Sequence, residues 1–173
     1  LYRDRDGIYH VADNNGKCYY FYAPQSHDSP ALLKQIVDRN GFTVDFFYRD
    51  NGLLSKIVDS SDRVLDITHT DAGLISGIYM PPPDVEGMSV QAMAYRYDQE
   101  NRLIWMENAE ERSNAFLWRN RLMTARQFAD GTPFTFDYDQ QGRCVAALGP
   151  DGLYSYWFEY RQNLTLATNS LGH

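Results

Sequence analysis

Carboxylates beside aromatic side chains are the residues in this sequence whose types and spacing most readily suggest chemistry. Asp59, Asp62, Asp137, Asp139 and Glu159 lie among aromatic residues, as carboxylates do in clefts that cleave sugars. Aspartate is also a common hairpin-turn residue, because its short side chain bonds to the nearby backbone. The turn role is favoured because these aspartates fall in phase with a repeat, so we expect no enzyme activity.

Metal and nucleophile sites have little support. No two histidines lie at i, i+4, and none pairs with a cysteine at metal spacing. Asp13–Gly16 and Asp50–Gly52 look like calcium loops but lack the alternating acids and terminal glutamate of an EF-hand. No Gly-x-Ser-x-Gly elbow supports a Ser-His-Asp site. We therefore expect no metal and no cofactor. The histidines are His10, His27, His69 and His173.

Composition limits the possible partners and compartments. The net charge is -7 without a cluster of basic residues, so we expect no nucleic-acid partner. No apolar run reaches 18 residues and no signal peptide is visible, so we expect no membrane partner. Cys18 and Cys144 are isolated, which favours free thiols over a disulfide or a metal site. The first residue is Leu1, which indicates a processed product or a fragment.

A repeat of about twenty residues organises the chain. Each copy has the form aromatic-x-Tyr/Trp, then a polar turn, then leucine, and two series of turn residues interleave. The clearest copies are 46–53, 95–103 and 136–143, and weaker ones are 69–74, 118–122 and 160–164. The first turn series is Gly52, Gly73, Asn101, Asn120, Gly142 and Asn163, and the second is Gly41, Asp62, Gly87, Gly131, Gly152 and Gly172.

Two turns per repeat, with a strand on either side of each, predict one β-hairpin per repeat. Turns such as Asp-Asn-Gly tolerate the positive φ of tight hairpins, and the residues between them alternate with a period of two. We therefore predict an all-β fold of tandem antiparallel β-hairpins in an open, curved or spiralling sheet. It forms a single array over 1–173, with a proline-rich insertion loop at 80–88. We expect at most one helical turn at Ser29–Ile36 or Asn108–Arg112.

A set of structural repeat residues follows from this phase. The aromatic members are expected to stack along the sheet as a ladder that holds hairpin to hairpin, and the others to form turns. The set is Tyr48, Gly52, Tyr95, Tyr97, Asp98, Tyr138, Asp139, Gly142, Gly152 and Tyr160. Trp105, Trp118 and Trp157 could stack on sugars or line a cavity wall, and cross-strand packing is the favoured alternative.

The box Tyr95–Leu103 resembles the YD repeat of the rearrangement hotspot (RHS) family. Stretches 4–10, 38–41, 142–145 and 152–160 resemble the early core-shell region of RHS polymorphic toxins associated with bacterial type VI secretion. The resemblance extends over essentially the whole chain. The YD box itself also occurs in teneurins and in the C subunits of insecticidal toxin complexes.

The resemblance implies that hairpins join into one long sheet, which spirals into a hollow shell around a C-terminal toxin domain. The family releases that toxin by aspartyl self-cleavage at an Asp-Pro motif. No Asp-Pro dipeptide occurs here, so those residues have no counterpart. The implied function is a non-catalytic shell segment that helps to encapsulate a toxin; the alternative is an extracellular binding module for glycan or protein.

The same resemblance implies the partners. They are the remaining RHS core repeats, the C-terminal toxin domain and type VI spike components. The protein would be an effector of interbacterial competition, made in the bacterial cytoplasm and exported by a secretion system. Because an open array has unpaired edge strands, we also expect edge-to-edge self-association near 2–10 and 158–166.

Overall fold

The structure, a computed structural model, describes residues 2–3, 8–24, 26, 29–82 and 88–173. Within these residues there is no α-helix, and none of the described segments could cross a membrane as a helix. The strands are β1 (Tyr2–Arg3), β2 (Tyr9–Ala12), β3 (Cys18–Phe21), β4 (Leu33–Val37), β5 (Thr43–Tyr48), β6 (Leu54–Asp59), β7 (Val64–His69), β8 (Ile75–Met80), β9 (Val90–Tyr97), β10 (Leu103–Asn108), β11 (Ser113–Arg119), β12 (Leu122–Gln127), β13 (Pro133–Tyr138), β14 (Cys144–Leu148), β15 (Tyr156–Arg161) and β16 (Leu164–Asn169).

The chain divides into two compact units, Leu1–Ala92 and Met93–His173. In the first unit each strand from β1 to β8 is hydrogen-bonded to the next, and in the second unit the same holds from β9 to β16. The single array over 1–173 stays a prediction. Of the predicted insertion loop at 80–88, Met80 ends β8 and Met88 precedes β9, whereas 83–87 lie outside the described residues.

Antiparallel pairing of sequence neighbours confirms the predicted fold class. In β13, Phe134, Phe136 and Tyr138 are less exposed than the residues between them, which is the predicted alternation. Ser29–Ile36 contains the beginning of β4 instead of a helix, and Asn108–Arg112 is a hairpin turn. The strand pairing overrides the local helix propensity of both segments.

The residues that the structure describes form almost no buried core. Among the described hydrophobic residues only Ile67 and Ala146 are buried, and Ser155 is the one buried polar residue. The chain exposes 12831 Å². Two compact units, each of half the mass, would together expose about 10,500 Å². Side chains therefore pack against neighbours along the sheet surface, and large ones such as Leu117 and Tyr154 remain open to solvent.

Candidate functional site: the repeated turn and its aromatic anchor

A five-residue turn recurs along both units. In the turn that begins at Asp139, the Asp139 N–H donates to the Arg143 carbonyl and the Gly142 N–H donates to the Asp139 carbonyl, both at 3.0 Å. Gly142 has a φ of 76°, the left-handed conformation of a type I turn closed by a glycine bulge. The same two backbone bonds occur in the turns that begin at Asp13, Asp38, Arg49, Asp59, Thr70, Asp98, Asn108, Phe128 and Asn169.

The first residue of most of these turns closes the turn with its side chain. Asp139 Oδ1 accepts the backbone N–H groups of Gln141 and Arg143, both at 2.9 Å. Asp139 Oδ2 accepts from Nε of Arg143 at 2.8 Å. The same pair of Oδ1 contacts occurs at Asp13, Asp38, Asp59, Asp98, Asn108 and Asn169. The aspartate of the YD box is therefore a turn clamp.

These contacts account for the acidity of the clamp carboxylates. The backbone N–H of Arg143 is the main cause that lowers the pKa of Asp139, and the Arg63 side chain does the same for the pKa of Asp59. For Asp98 burial opposes the shift, but hydrogen bonds from Arg102 and Glu100 outweigh it and lower the pKa. A carboxylate that fixed donors hold in its ionised form suits turn closure and not general-acid chemistry.

The other carboxylates considered as catalytic are also placed by the fold. Asp62 has a φ of 59° at the left-handed position of its turn. Glu159 accepts hydrogen bonds from Arg161 at 2.8 and 3.2 Å. Asp137 is exposed on β13. The expectation that the chain is not an enzyme stays a prediction.

Replacing Asp139 by alanine is expected to lower the urea midpoint of the second unit more than replacement by asparagine, because asparagine keeps the Oδ1 acceptor. Since the folded pKa of Asp139 lies below 3.8, this stabilisation is present above that pH and is lost as the pH falls through the folded pKa. Urea unfolding from pH 3 to 7 measures both effects. Gln140→Ala, at the exposed second position of the same turn, is the control. Equal midpoints for the alanine and control variants would contradict the clamp.

A β-bulge precedes the end of the first strand in several hairpins. In β13–β14, Asp137 pairs with Ala146 but Tyr138 pairs with Cys144, so that Val145 is the extra residue. Corresponding shifts occur in β5–β6, β7–β8, β9–β10 and β11–β12. Such bulges bend and twist a strand pair. The repeated shift therefore gives each of these hairpins the same local distortion.

Hydroxyl side chains occupy two of the bulges. Ser55 Oγ donates to the Phe47 carbonyl at 3.1 Å, and Thr124 Oγ1 donates to the Leu117 carbonyl at 3.3 Å. Each hydroxyl thus binds a carbonyl of the facing strand at the point where the backbone pairing shifts. A bulge removes a regular ladder bond, so these contacts compensate for part of its cost.

Four aromatic side chains, each near the end of the first strand of a hairpin, donate a hydrogen bond to a backbone carbonyl of the preceding strand. We call this location, the last or next-to-last residue of β5, β7, β9, β11, β13 and β15, the anchor position. Tyr138 donates its hydroxyl to the Met123 carbonyl at 2.7 Å. The equivalent bonds join Tyr48 to Leu33, Tyr160 to Cys144 and the Trp118 indole Nε1 to Leu103, at 2.8, 2.7 and 2.8 Å.

Each bond lies beyond the last backbone pair of the two strands. The β12–β13 pairs end at Ala125 with Thr135, whereas Tyr138 reaches Met123. The anchor therefore joins a hairpin to the preceding one at a point where the two strands no longer share backbone hydrogen bonds. Burial is the main cause that raises the pKa of Tyr48, Tyr97 and Tyr138, so these phenols remain protonated.

The predicted tyrosines are placed in two ways. Tyr48, Tyr97, Tyr138 and Tyr160 occupy anchor positions, and Tyr95 pairs with Met106 inside the β9–β10 ladder. Sequence reasoning anticipated ring stacking and missed the hydrogen bond to the backbone. The ring of Tyr48 meets the ring of Tyr22 edge-on, at 6.3 Å and 85°, and the ladder of repeat tyrosines stays a prediction.

The three tryptophans differ in their surroundings. Trp118 is an anchor, and Trp105 lies under the guanidinium of Arg96, 4.1 Å from its ring centroid. Trp157 on β15 remains 46% exposed. Two of them thus make intramolecular contacts, and Trp157 presents an open ring surface.

The loop between β14 and β15 departs from the regular turn, whereas the sequence predicts an ordinary hairpin turn at Pro150–Gly152. The Gly149 N–H donates to Ser155 Oγ at 3.1 Å, and Ser155 is fully buried. Asp151, Gly152 and Tyr154 have φ values of 51°, 78° and 56°. The loop leaves the side chain of Tyr154 74% exposed. A bulky residue in the left-handed region is uncommon and indicates a tightly constrained segment.

Among the residues that the structure describes, no cluster of histidine, cysteine and acidic side chains could hold a metal ion. Cys18 and Cys144 are both free thiols, which agrees with the favoured interpretation of the sequence. Burial is the main cause that raises the pKa of Cys144. Its thiol therefore stays protonated and poorly nucleophilic.

No protein-family model matches the chain, and no curated protein does. Solved structures do. A crystal structure of TcdB2-TccC3-Cdc42 has a TM-score of 0.56 at 11% identity, over 87% of this chain and 8% of that chain. The Tc holotoxin pore of Photorhabdus luminescens has a TM-score of 0.55 at 9% identity, over 83% of this chain and 8% of that chain. This chain has the fold of part of a Tc toxin chain. A crystal structure of TcdB2-TccC3 without its hypervariable C-terminal region has a TM-score of 0.56 at 10% identity, over 87% of this chain and 8% of that chain.

The likeness to the Tc toxin chains concerns the fold, since the identities are near 10%. This chain spans about a tenth or less of the length of these Tc toxin chains. Their fold agrees with the all-β hairpin fold that the RHS resemblance implies.

Proposed function

We propose that this chain forms part of the wall of an RHS-type shell that encloses a C-terminal toxin domain. The observation that carries the proposal is that each unit is a layer of repeated hairpins whose described residues are almost all at least partly exposed, in a fold shared with Tc toxin chains. A globular enzyme or binding domain normally packs a second layer against such a sheet. A wall needs only firm links between successive hairpins.

The links would be mechanical and not catalytic. The clamps at Asp98 and Asp139 fix the hairpin turns, while the anchors Tyr48, Tyr138 and Tyr160 tie each hairpin to the preceding one. Because these contacts recur from hairpin to hairpin, the array can be extended by adding hairpins without a new core. The partners would be the other repeats of the shell and the enclosed domain.

The proposed secretion route and biological role rest on the sequence resemblance to RHS toxins. The protein would be a type VI secretion effector for interbacterial competition, made in the bacterial cytoplasm and exported, with spike components as further partners. TcdB2-TccC3, whose fold this chain shares in part, has a hypervariable C-terminal region. A variable toxin domain enclosed by repeats such as these would be the counterpart in this protein.

Limited proteolysis of the longer polypeptide that carries this sequence tests the proposal. The downstream domain is expected to resist protease in the wild type and to become cleavable when Tyr138→Ala weakens the hairpin link. Tyr154→Ala, an exposed tyrosine without an anchor bond, is the matched control. A downstream domain that is cut equally fast in all three proteins would overturn the proposal.

A binding module for glycan or extracellular protein is the second candidate, and the open ring of Trp157 favours it. We expect a glycan array to show no binding above that of Trp157→Ala. Glycan binding that disappears in Trp157→Ala would favour the binding module over the shell wall. Edge-to-edge self-association, also expected from the sequence, is checked by light scattering over a range of concentrations.

A further inference from the structure

His69 differs from the four anchors Tyr48, Trp118, Tyr138 and Tyr160. It ends β7 directly after the bulge, as Tyr48 and Tyr138 do in β5 and β13. The residue 15 positions earlier, which an anchor tyrosine would reach, is Leu54 at the beginning of β6. The imidazole makes no such bond, and its Nδ1 is buried without a hydrogen-bond partner. An unpaired buried nitrogen weakens the link between β6 and β7.

A second departure from the repeat lies beside the first. Arg49 stands where Asp98 and Asp139 stand in their turns, so this turn lacks the carboxylate clamp. The Arg49 guanidinium extends toward β7 and lies 3.5 Å from the Ile67 carbonyl. Its charge acts on His69 and, after burial, is the second cause that lowers the pKa of the imidazole.

No described carboxylate on this face can balance a charged imidazole. Leu65, Ile67 and His69 share one face of β7, so Asp66 faces the other way, together with its register partners Lys56 on β6 and Tyr79 on β8.

The acids nearest along the chain are also accounted for. Asp59 shares the face of Ile57 and Leu65, but it lies at the far end of β6 and binds Arg63. Asp50 and Asp71 are exposed at the tips of the adjoining turns. A proton on His69 would therefore meet Arg49 and not a counter-ion.

We propose that His69 and Arg49 make the β7–β8 hairpin an acid-sensitive joint, which opens in mildly acidic solution while hairpins with a tyrosine anchor stay closed. The basis is the missing anchor bond, the adjacent guanidinium and the position of Asp59, the described carboxylate on that face, which lies at the far end of β6 and binds Arg63. The inference does not depend on the shell proposal, since it concerns the stability of one hairpin.

The direction of the pH effect follows from linkage. The folded pKa of His69 is lowered below 6.5, so the unfolded hairpin binds the proton more tightly. Stability is therefore fully present above about pH 6.5 and falls as the pH drops below it toward the folded pKa. The carboxylate clamps lose their stabilising effect at a lower pH, because the pKa values of Asp59, Asp98 and Asp139 lie below 3.8.

Hydrogen exchange provides the test, with a control inside the same molecule. Residues 64–80 contain β7–β8, and residues 133–148 contain β13–β14 with Tyr138 and no histidine. After correction for intrinsic rates, protection of 64–80 is expected to fall at least several-fold from pH 7.5 to 5.5. Protection of 133–148 is expected to change little. Equal changes in the two segments would overturn the proposal.

Two variants separate the effect of protonating His69 from other effects of low pH on the protein. His69→Gln keeps a neutral polar side chain and is expected to remove the selective loss of protection. His69→Tyr is expected to remove it as well and to raise protection at both pH values. His173→Gln, at an exposed histidine, should behave as the wild type. Should a variant fail to fold, NMR titration of the wild-type imidazoles decides, because no histidine titrating below 6.5 would contradict the proposal.

Discussion

Tyr138→Ala is expected to lower the free energy of unfolding of the second unit by about 2–4 kcal/mol, since it removes a half-buried ring and the anchor bond to Met123. Tyr138→Phe keeps the ring and loses only the hydroxyl, so we expect it to lower the free energy of unfolding by about 1 kcal/mol. The difference between the two variants separates ring packing from the hydrogen bond. Urea denaturation followed by tryptophan fluorescence measures both.

A matched control for the anchor is available in the same unit. Tyr154→Ala removes an exposed tyrosine that lies outside the anchor positions, and it should change stability by less than about 0.5 kcal/mol. If Tyr138→Phe were as stable as the wild type, the hydroxyl bond would not fasten the hairpins. If Tyr154→Ala cost as much as Tyr138→Ala, tyrosine content and not position would matter.

Gly149→Ala is the second substitution with a large expected effect. A Cβ at Gly149 would lie 2.0 Å from the Leu153 carbonyl oxygen and 3.1 Å from the Phe134 ring. The obstacle is backbone in a closed loop, so the loop must open or β14 and β15 must separate. We expect a loss of about 3 kcal/mol or more in the free energy of unfolding. Backbone φ is not the reason, because Gly149 has a φ of -85° that any residue adopts.

Gly152→Ala in the same loop gives the matched control. Gly152 has a φ of 78°, and a Cβ there would meet nothing within 4 Å. The alanine thus has only the strain of the left-handed conformation, about 1 kcal/mol. Ser155→Ala should fall between the two, because it leaves the Gly149 N–H without its buried acceptor. A Gly149→Ala protein no less stable than Gly152→Ala would show that the loop yields easily to an added Cβ.

The hairpin fold could be predicted from the sequence because its signals are local. The alternation of Phe134, Phe136 and Tyr138 reports one side of a strand, and glycines such as Gly142 mark turns through their backbone freedom. These features need no knowledge of distant parts of the chain.

Other turns carry weaker signals. Glu111 adopts a φ of 59° at the fourth position of the turn from Asn108, although glutamate is not a typical turn residue. Asn108, three residues earlier, is the more informative residue, since its Oδ1 accepts hydrogen bonds from the backbone N–H groups of Glu110 and Arg112. A search for Asp or Asn three residues before each expected left-handed position would have found this turn.

The anchors could not be derived from the sequence because they depend on the inter-strand register. The bond from Tyr138 to Met123 exists only where the bulge and the diverging strands leave that carbonyl within reach. The closed loop around Ser155 is similar, since Gly149 looks like an ordinary Gly-Pro turn residue in the sequence. Spatial coincidences of this kind require coordinates.

Cryo-electron microscopy of the longer polypeptide that carries this sequence tests the central claim most directly. We predict that these hairpins form a continuous stretch of wall, with one face toward an enclosed cavity that contains density for the downstream domain. Hairpins that instead form an outer appendage, with both faces open to solvent, would contradict the shell proposal.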